Sequence, residues 1–493
     1  MTAALALGAT DIAPVTAPGK YLNRHGLITG ATGTGKSVSL MGMTEAFQRL
    51  GVPSIVTDIK GDLSGLAAPS TATSDNGRNV LPWHAQAADV RLWDVFAEQG
   101  QALTASLSDM GAPLAARALG LSDVQTGVLE VAFAVAADLN FPLDTLADLR
   151  NVVAYCADNR ADIGKQYGLV TPSSVAAIGR AVLRLERGGG ADFFKPHSVP
   201  VEQFTTGRAV HLLDCVRLVK EPRLYGAVLL YLLDALSRQL PEVGDRELPV
   251  LALFLDEAHL IFSDCPPDVL RAVEQTVRLI RSKGVGVYFA SQSPADVPDG
   301  VARQLHLRIQ HALRAVTPRD RGLLRAAADS MPPGDGFKVA DAIEALPPGV
   351  ALVSYMGADG KPMPTRIVKM QLPRCRLSPL SDTERAAVLA VANPLPKPDT
   401  QPLPVAPSPA PKPAPVPPGR RLHWLEKLGV TAGVGLGLFL GGVGVNAWAI
   451  GFPLIGCAFS VAALGAVAAT CNAAFARTRP ASMPTDYHGP PRP

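Results

Sequence analysis

GLITGATGTGKSVSL, residues 26–40, decides the fold. Its inner eight residues, GATGTGKS at 30–37, complete the pattern G-x-x-x-x-G-K-[ST]. The apolar tetrad 26–29 reads as a buried strand, and 38–50 carries Leu40, Met43, Phe47 and Leu50 at helical spacing. A strand, a glycine-rich turn and a helix are the context a phosphate-binding loop needs. Gly30, Gly33 and Gly35 let the backbone curl through Ala31, Thr32 and Thr34, so that successive N–H groups point inward at a phosphate. The following helix adds the positive end of its dipole. Lys36 is expected to reach the β and γ phosphates and the Ser37 hydroxyl to ligate Mg²⁺, which makes ATP and Mg²⁺ the expected ligands.

The chain of 493 residues has room for two or three domains, and its apolar content supports a large core. A net charge of +3 argues for no particular partner, so any nucleic-acid binding must come from a local channel. The six cysteines (Cys156, Cys215, Cys265, Cys375, Cys457 and Cys471) stand far apart without a C-x-x-C pair. Neither a zinc site nor a disulfide framework is indicated, and a reducing compartment fits. The N-terminal MTAALALGATDIAP lacks a basic segment before its short apolar stretch and meets an acid at Asp11, so it does not read as a signal peptide.

Strand and helix patterns alternate from about residue 20 to 355, which predicts an α/β fold with a mostly parallel sheet and helices on both faces. Strands are expected at 52–57, 209–213, 249–255 and 286–290, with a long helix over 225–238. Residues 105–190 lack strand signals and are rich in Ala, Leu, Arg and Asp at helical spacing, which predicts a helical insertion. The expected organisation is an ATPase domain over 1–390, a linker over 391–419 and a membrane hairpin with a short tail over 420–493. The linker holds 12 prolines in the 25 residues 394–418, and as an extended spacer it reaches at most about 75 Å at ~3.1 Å per residue. Residues 428–476 contain no charge, enough for two spans of about 20 residues broken near Pro453. Arg420, Arg421 and Lys427 precede that block, and Arg477 and Arg479 follow it, so a hairpin with both ends cytoplasmic satisfies the positive-inside rule. The alternative is a glycine-rich helical pair packed on the ATPase.

In an open α/β sheet, ligands sit beyond the carboxyl ends of the strands. Asp256 follows the apolar run PVLALFL and is expected to hold the Mg²⁺ shell with Ser37; Glu257, next to it, is the expected general base. Gln292 follows the neighbouring strand and suits a γ-phosphate sensor or water-orienting residue, or else is an ordinary loop glutamine. Asp58 and Asp62 flank Lys60-Gly61 at another strand end, where a nucleotide role and an Asx-type turn weigh equally. A helix over 268–282 carries Leu270, Val273, Val277 and Ile280 on one face and Arg271, Arg278 and Arg281 on the other. Those arginines form either a solvated face or, at Arg281, a charge offered to a neighbour's γ-phosphate. Arg24, just before the first expected strand, is another cation near the nucleotide by topology. His25, His259 and His311 have no metal-ligand spacing and are expected to be structural or supporting.

Together these residues resemble the HerA/FtsK group of ring-forming P-loop motor ATPases, with a RecA-like core, and more closely the HerA-like helicase family of the YjgR type. The resemblance rests on NRHGLITGATGTGKSVSL, TDIKGDLSGLA, LALFLDEAHLIF and VRLIRSKGVGVYFASQSPADVPD and extends over most of residues 20–360. It implies that Lys36, Ser37, Asp256 and Glu257 hold nucleotide, metal and water, that Gln292 is the polar sensor, and that Arg281 acts across the interface of a homo-hexamer. It also implies a cis arginine at Arg24. The first functional expectation is an ATP-driven ring that translocates along or remodels DNA, with the ATPase in the cytoplasm. A membrane-tethered ATPase that switches a protein complex and a secretion-type motor are the alternatives. No concentrated basic stretch separates them.

Overall fold

A computed structural model of the chain describes residues 3–392, less 76, 81, 245, 265 and 266, with the backbone alone at 263, 264, 267–269 and 392. The expected linker and apolar hairpin therefore lie outside the described residues. Among the described residues no helix is long and apolar enough to cross a membrane.

The described residues are organised on one twelve-stranded sheet. Its strands are β1 Ala4–Ala9, β2 Pro14–Pro18, β3 Gly26–Thr29, β4 Ser54–Asp58, β5 Val90–Asp94, β6 Gln101–Ala102, β7 Val210–Asp214, β8 Leu251–Leu255, β9 Val285–Ser291, β10 Leu307–Gln310, β11 Val350–Ser354 and β12 Arg366–Met370. Their order across the sheet is β2-β1-β12-β11-β10-β3-β9-β8-β4-β7-β5-β6. Every pairing from β10 to β6 is parallel, whereas β11, β12, β1 and β2 add an antiparallel flank.

The apolar runs become central strands because both faces of the sheet are covered. Every residue of β3, β4, β8 and β9 is buried. Side chains alternate between two cores, as the period of two requires. Leu251, Leu253 and Leu255 join the core that contains the helix Pro222–Gln239, whereas Ala252 and Phe254 join the core under helix α1 (Lys36–Arg49). Phe254 stacks on Tyr288 of β9 at 4.9 Å between ring centroids and meets the edge of Phe47 of α1 at 5.9 Å. Burying such a ring stabilises the fold by roughly 1.5–3 kcal/mol.

The expected insertion is present as α2 Leu107–Leu119, α3 Asp123–Leu139, α4 Leu146–Asp158, α5 Arg160–Gln166 and α6 Pro172–Leu185. A reciprocal cap between Thr145 and Asp148 starts α4, and Thr171 caps α6 ahead of its first-turn proline. The sheet also extends beyond the sequence expectation. The N-terminal apolar stretch forms the β1–β2 hairpin, whose inner strand β1 pairs with β12 and whose outer strand β2 ends the sheet.

Candidate active site

β3 delivers residues 30–37 at its carboxyl end, and β9 lies between it and β8. Asp256 and Glu257 leave β8 at the same edge of the sheet. The turn after β3 is built against β10 and β11. Ala31 N donates to Ala312 O at 3.0 Å, Gly349 N donates to Thr34 O at 2.9 Å, and Thr34 Oγ1 closes the turn on Ala31 O at 2.7 Å. Gly30 is required because a Cβ there would lie 2.4 Å from His311 Cβ, and Gly35 because the chain enters α1 at φ 110°. Thr32 and Gly33 are exposed at the tip, Ala31, Gly35 and Ser37 are half-buried, and Thr34 and Lys36 are buried. His311, kept neutral by burial with its pKa lowered to about 4, pairs Nε2 with Ser39 Oγ at 2.9 Å and so ties α1 to the end of β10.

At the centre, Lys36 Nζ donates to Glu257 Oε1 at 3.0 Å, and the ammonium of Lys60 binds the same oxygen. Lys36 and Glu257 are almost wholly buried, whereas Lys60 is 43% exposed. Burial raises the Glu257 pKa, but the two lysines outweigh it and hold the carboxyl below its ordinary value. Burial likewise opposes the Lys60 charge, and Glu257 more than restores it, so its pKa is raised. Glu257 takes a left-handed backbone, φ 43°, which a non-glycine residue adopts at a cost of order 1–3 kcal/mol. Its Oε2 accepts no hydrogen bond; His259 Nδ1 stands 3.2 Å away.

Asp256 N is anchored by Thr57 Oγ1 of β4 at 3.0 Å. Burial pushes the Asp256 carboxyl up to about 6, against the attraction of Lys36, and its Oδ1 is buried without a hydrogen-bond partner. An orphaned buried carboxylate oxygen at the edge that also carries Ser37 is the donor set a hard divalent cation takes. The residues present therefore fit Mg²⁺, with Asp256 and Ser37 as the groups that would hold it.

Asp58 serves the turn that follows β4: it accepts from Gly61 N at 2.7 Å and Leu63 N at 3.0 Å, and burial together with Asp62 raises its pKa to about 7. That turn is what aims Lys60 back at Glu257. Gln292, just past β9, is exposed at the nucleotide edge, next to the strand that carries Gly30.

The structure does not bring Arg24 and Arg281 to this cluster. Arg281 sits in a short turn, Ile280–Lys283, before β9, whose seven residues span roughly 20 Å at ~3.3 Å per residue. Arg24 precedes β3 in the same way, with its guanidinium 4.8 Å from the Tyr21 ring centroid. Both arginines are therefore at the amino edge of the sheet. His25 knits that edge together, since Nε2 contacts Val277 O at 2.9 Å and Nδ1 accepts from Val287 N at 2.9 Å. Lys60 has no role among the sequence expectations. The signal was its place in Asp58-Ile59-Lys60-Gly61-Asp62, which becomes informative only once β4 is known to lie beside β8.

A phosphate-binding turn, an acidic pair two strands away and a parallel sheet with helices on both faces define a P-loop ATPase. The sequence model of the family described as Helicase HerA-like C-terminal matches residues 5–400, and the chain belongs to that family. None of the curated proteins matches it. Among solved structures, the fold is similar to that of the bacterial conjugative coupling protein TrwB in its unbound monoclinic form, with a TM-score of 0.51 at 16% identity over 74% of this chain and 90% of that one. The same plasmid coupling protein in complex with the non-hydrolysable GTP analogue GDPNP aligns with a TM-score of 0.51 at 16% identity, over 74% of this chain and 91% of that one.

Proposed function

We propose that this ATPase drives a ring-forming motor that translocates along or remodels DNA. The observation that carries the ring is the separation of charges. Lys36, Asp256 and Glu257 gather at the carboxyl edge of the sheet, while Arg24 and Arg281 stand at the amino edge of the same chain. An arginine so placed can meet a nucleotide only on a neighbouring copy. The DNA substrate is drawn from the family's description as a helicase.

In this reading Lys36 binds the β and γ phosphates, and Ser37 and Asp256 would hold Mg²⁺, which would supply positive charge against the phosphate oxygens. Glu257 accepts a proton from the water that attacks the γ phosphorus as the bond to the bridging oxygen breaks. Its Oε2, free of hydrogen bonds, is the atom available for that proton. Gln292, exposed at the end of β9, the strand directly beside β8, would orient that water or sense the γ phosphate. Arg281 of a neighbour stabilises the charge that builds on the transferred group.

A second reading, a membrane-tethered ATPase that acts on a protein complex or in secretion, draws support from the uncharged stretch 428–476. Phosphate release measured with no ligand, with single-stranded DNA and with duplex DNA at rising salt distinguishes the two. Stimulation by DNA that fades with salt supports the DNA motor. A rate indifferent to DNA, with full-length protein that resists carbonate extraction from membranes, supports the tethered switch.

A further inference from the structure

Glu257 Oε1 is shared by two ammonium groups that come from different elements. Lys36 belongs to α1, directly after the phosphate turn, and Lys60 belongs to the turn after β4. Their situations differ. Lys36 is buried, and in the reading above the nucleotide phosphates claim it. Lys60 is 43% exposed, and its backbone is fixed by the Asp58 carboxylate, which accepts from Gly61 and Leu63. A carboxylate as buried as Glu257 is costly to leave without a counter-charge. When Lys36 turns to phosphate, a second cation must already be in place.

We propose that Lys60 is a positioning residue that takes sole hold of Glu257 Oε1 when Lys36 is drawn to the nucleotide. The two lysines thus form an exchange device. In the structure Lys36 and Lys60 share Glu257 Oε1. With nucleotide, Lys60 keeps the carboxylate paired and aimed, and Oε2, with His259 Nδ1 3.2 Å away, is left to the water. The proposal rests on the reading of Lys36 as the phosphate ligand and Glu257 as the base.

The test is a double-mutant cycle read by nucleotide affinity. ADP and a non-hydrolysable ATP analogue, each with Mg²⁺, are titrated into the full chain as wild type, Lys60→Ala, Glu257→Gln and the double variant. Removal of Lys60 leaves the apo pair of Lys36 and Glu257 intact but strands Glu257 once nucleotide binds, so affinity should fall about tenfold. In the Glu257→Gln background no charge is stranded, and the loss caused by Lys60→Ala should vanish. Lys60→Arg should recover most of the affinity, and Lys60→Met repeats the experiment with the side-chain stem retained should the alanine variant fold poorly. Wild-type affinity in both neutral variants would overturn the proposal. So would an equal loss in the Glu257→Gln background, because Lys60 would then be touching phosphate itself. Phosphate release by Glu257→Gln reads the base assignment separately: normal turnover would remove that assignment and leave the coupling of residues 60 and 257 to be judged by binding alone.

Discussion

Lys36 and Glu257 are joined across 3.0 Å although their strands, β3 and β8, are not neighbours in the sheet. The lysine that should hold phosphate is thus paired with the residue that should activate water. Lys36→Ala should leave the apo fold largely intact, since Lys60 still neutralises Glu257, but should abolish binding. Thermal melting checks this: saturating ADP with Mg²⁺ should raise the wild-type midpoint by mass action and leave that of the variant unmoved. An equal rise in both would remove Lys36 from the phosphate site.

Arg281 should act on a neighbouring copy. Arg281→Ala should reduce turnover by orders of magnitude with little change in nucleotide affinity, because a charge finger works on the transition state. Mixing Arg281→Ala with Glu257→Gln chains should restore part of the activity, as some interfaces then combine an intact base with an intact arginine. Mixed oligomers that stay inactive would argue against a trans role.

Two glycines of the phosphate turn should respond differently to alanine. At Gly30 the new Cβ would press to 2.4 Å from His311 Cβ and 2.9 Å from Thr34 Oγ1. Overpacking of this kind typically costs about 1–3 kcal/mol, and here it would also displace the turn. Gly33, at φ 79°, has open space around it, so alanine there adds only backbone strain of roughly 1 kcal/mol. Urea denaturation should rank Gly30→Ala well below Gly33→Ala, and the opposite order would contradict the packing described for the turn.

The core of the fold was legible because its signals are local. Residues 26–40 contain strand, turn and helix in one window, and the apolar run at 249–255 ends in adjacent acids. The hairpin β1–β2 lies outside the sequence expectation because the six residues ALALGA carry no periodicity that separates a strand from an apolar tail. The partners within the site were missed for a different reason. That Lys60 reaches Glu257, or that Thr57 anchors Asp256, depends on β4 lying beside β8, a pairing between residues about two hundred positions apart. The arginines show the same limit from the other side. Sequence distance put Arg24 near the phosphate turn, whereas the direction of β3 carries it to the opposite edge.

Acid should weaken the fold through buried imidazoles. His211 accepts a hydrogen bond from Trp93 Nε1 at 3.0 Å, and burial, with a smaller push from Arg91, lowers its pKa to about 4. Its folded pKa lies below the unfolded value of 6.5, so the unfolded chain binds the extra proton and stability is lost as pH falls from about 6.5 to about 4. The loss is bounded by about 3 kcal/mol for this one group. Asp58, raised to about 7, works with the opposite sign, so the comparison must be made against a variant. His211→Gln retains an acceptor for Trp93 and should lose less stability than wild type between pH 7 and pH 5 in urea titrations. Equal slopes would contradict a neutral His211.

Hydrolysis in this protein should depend most on Glu257 as the group that activates water. Parallel measurements of ATP binding and phosphate release by the Glu257→Gln chain test it directly. The amide keeps the shape of the side chain and loses the basic oxygen, so the variant should bind ATP with Mg²⁺ at least as well as wild type and release phosphate about a hundredfold or more slowly. Wild-type phosphate release by Glu257→Gln would contradict the account.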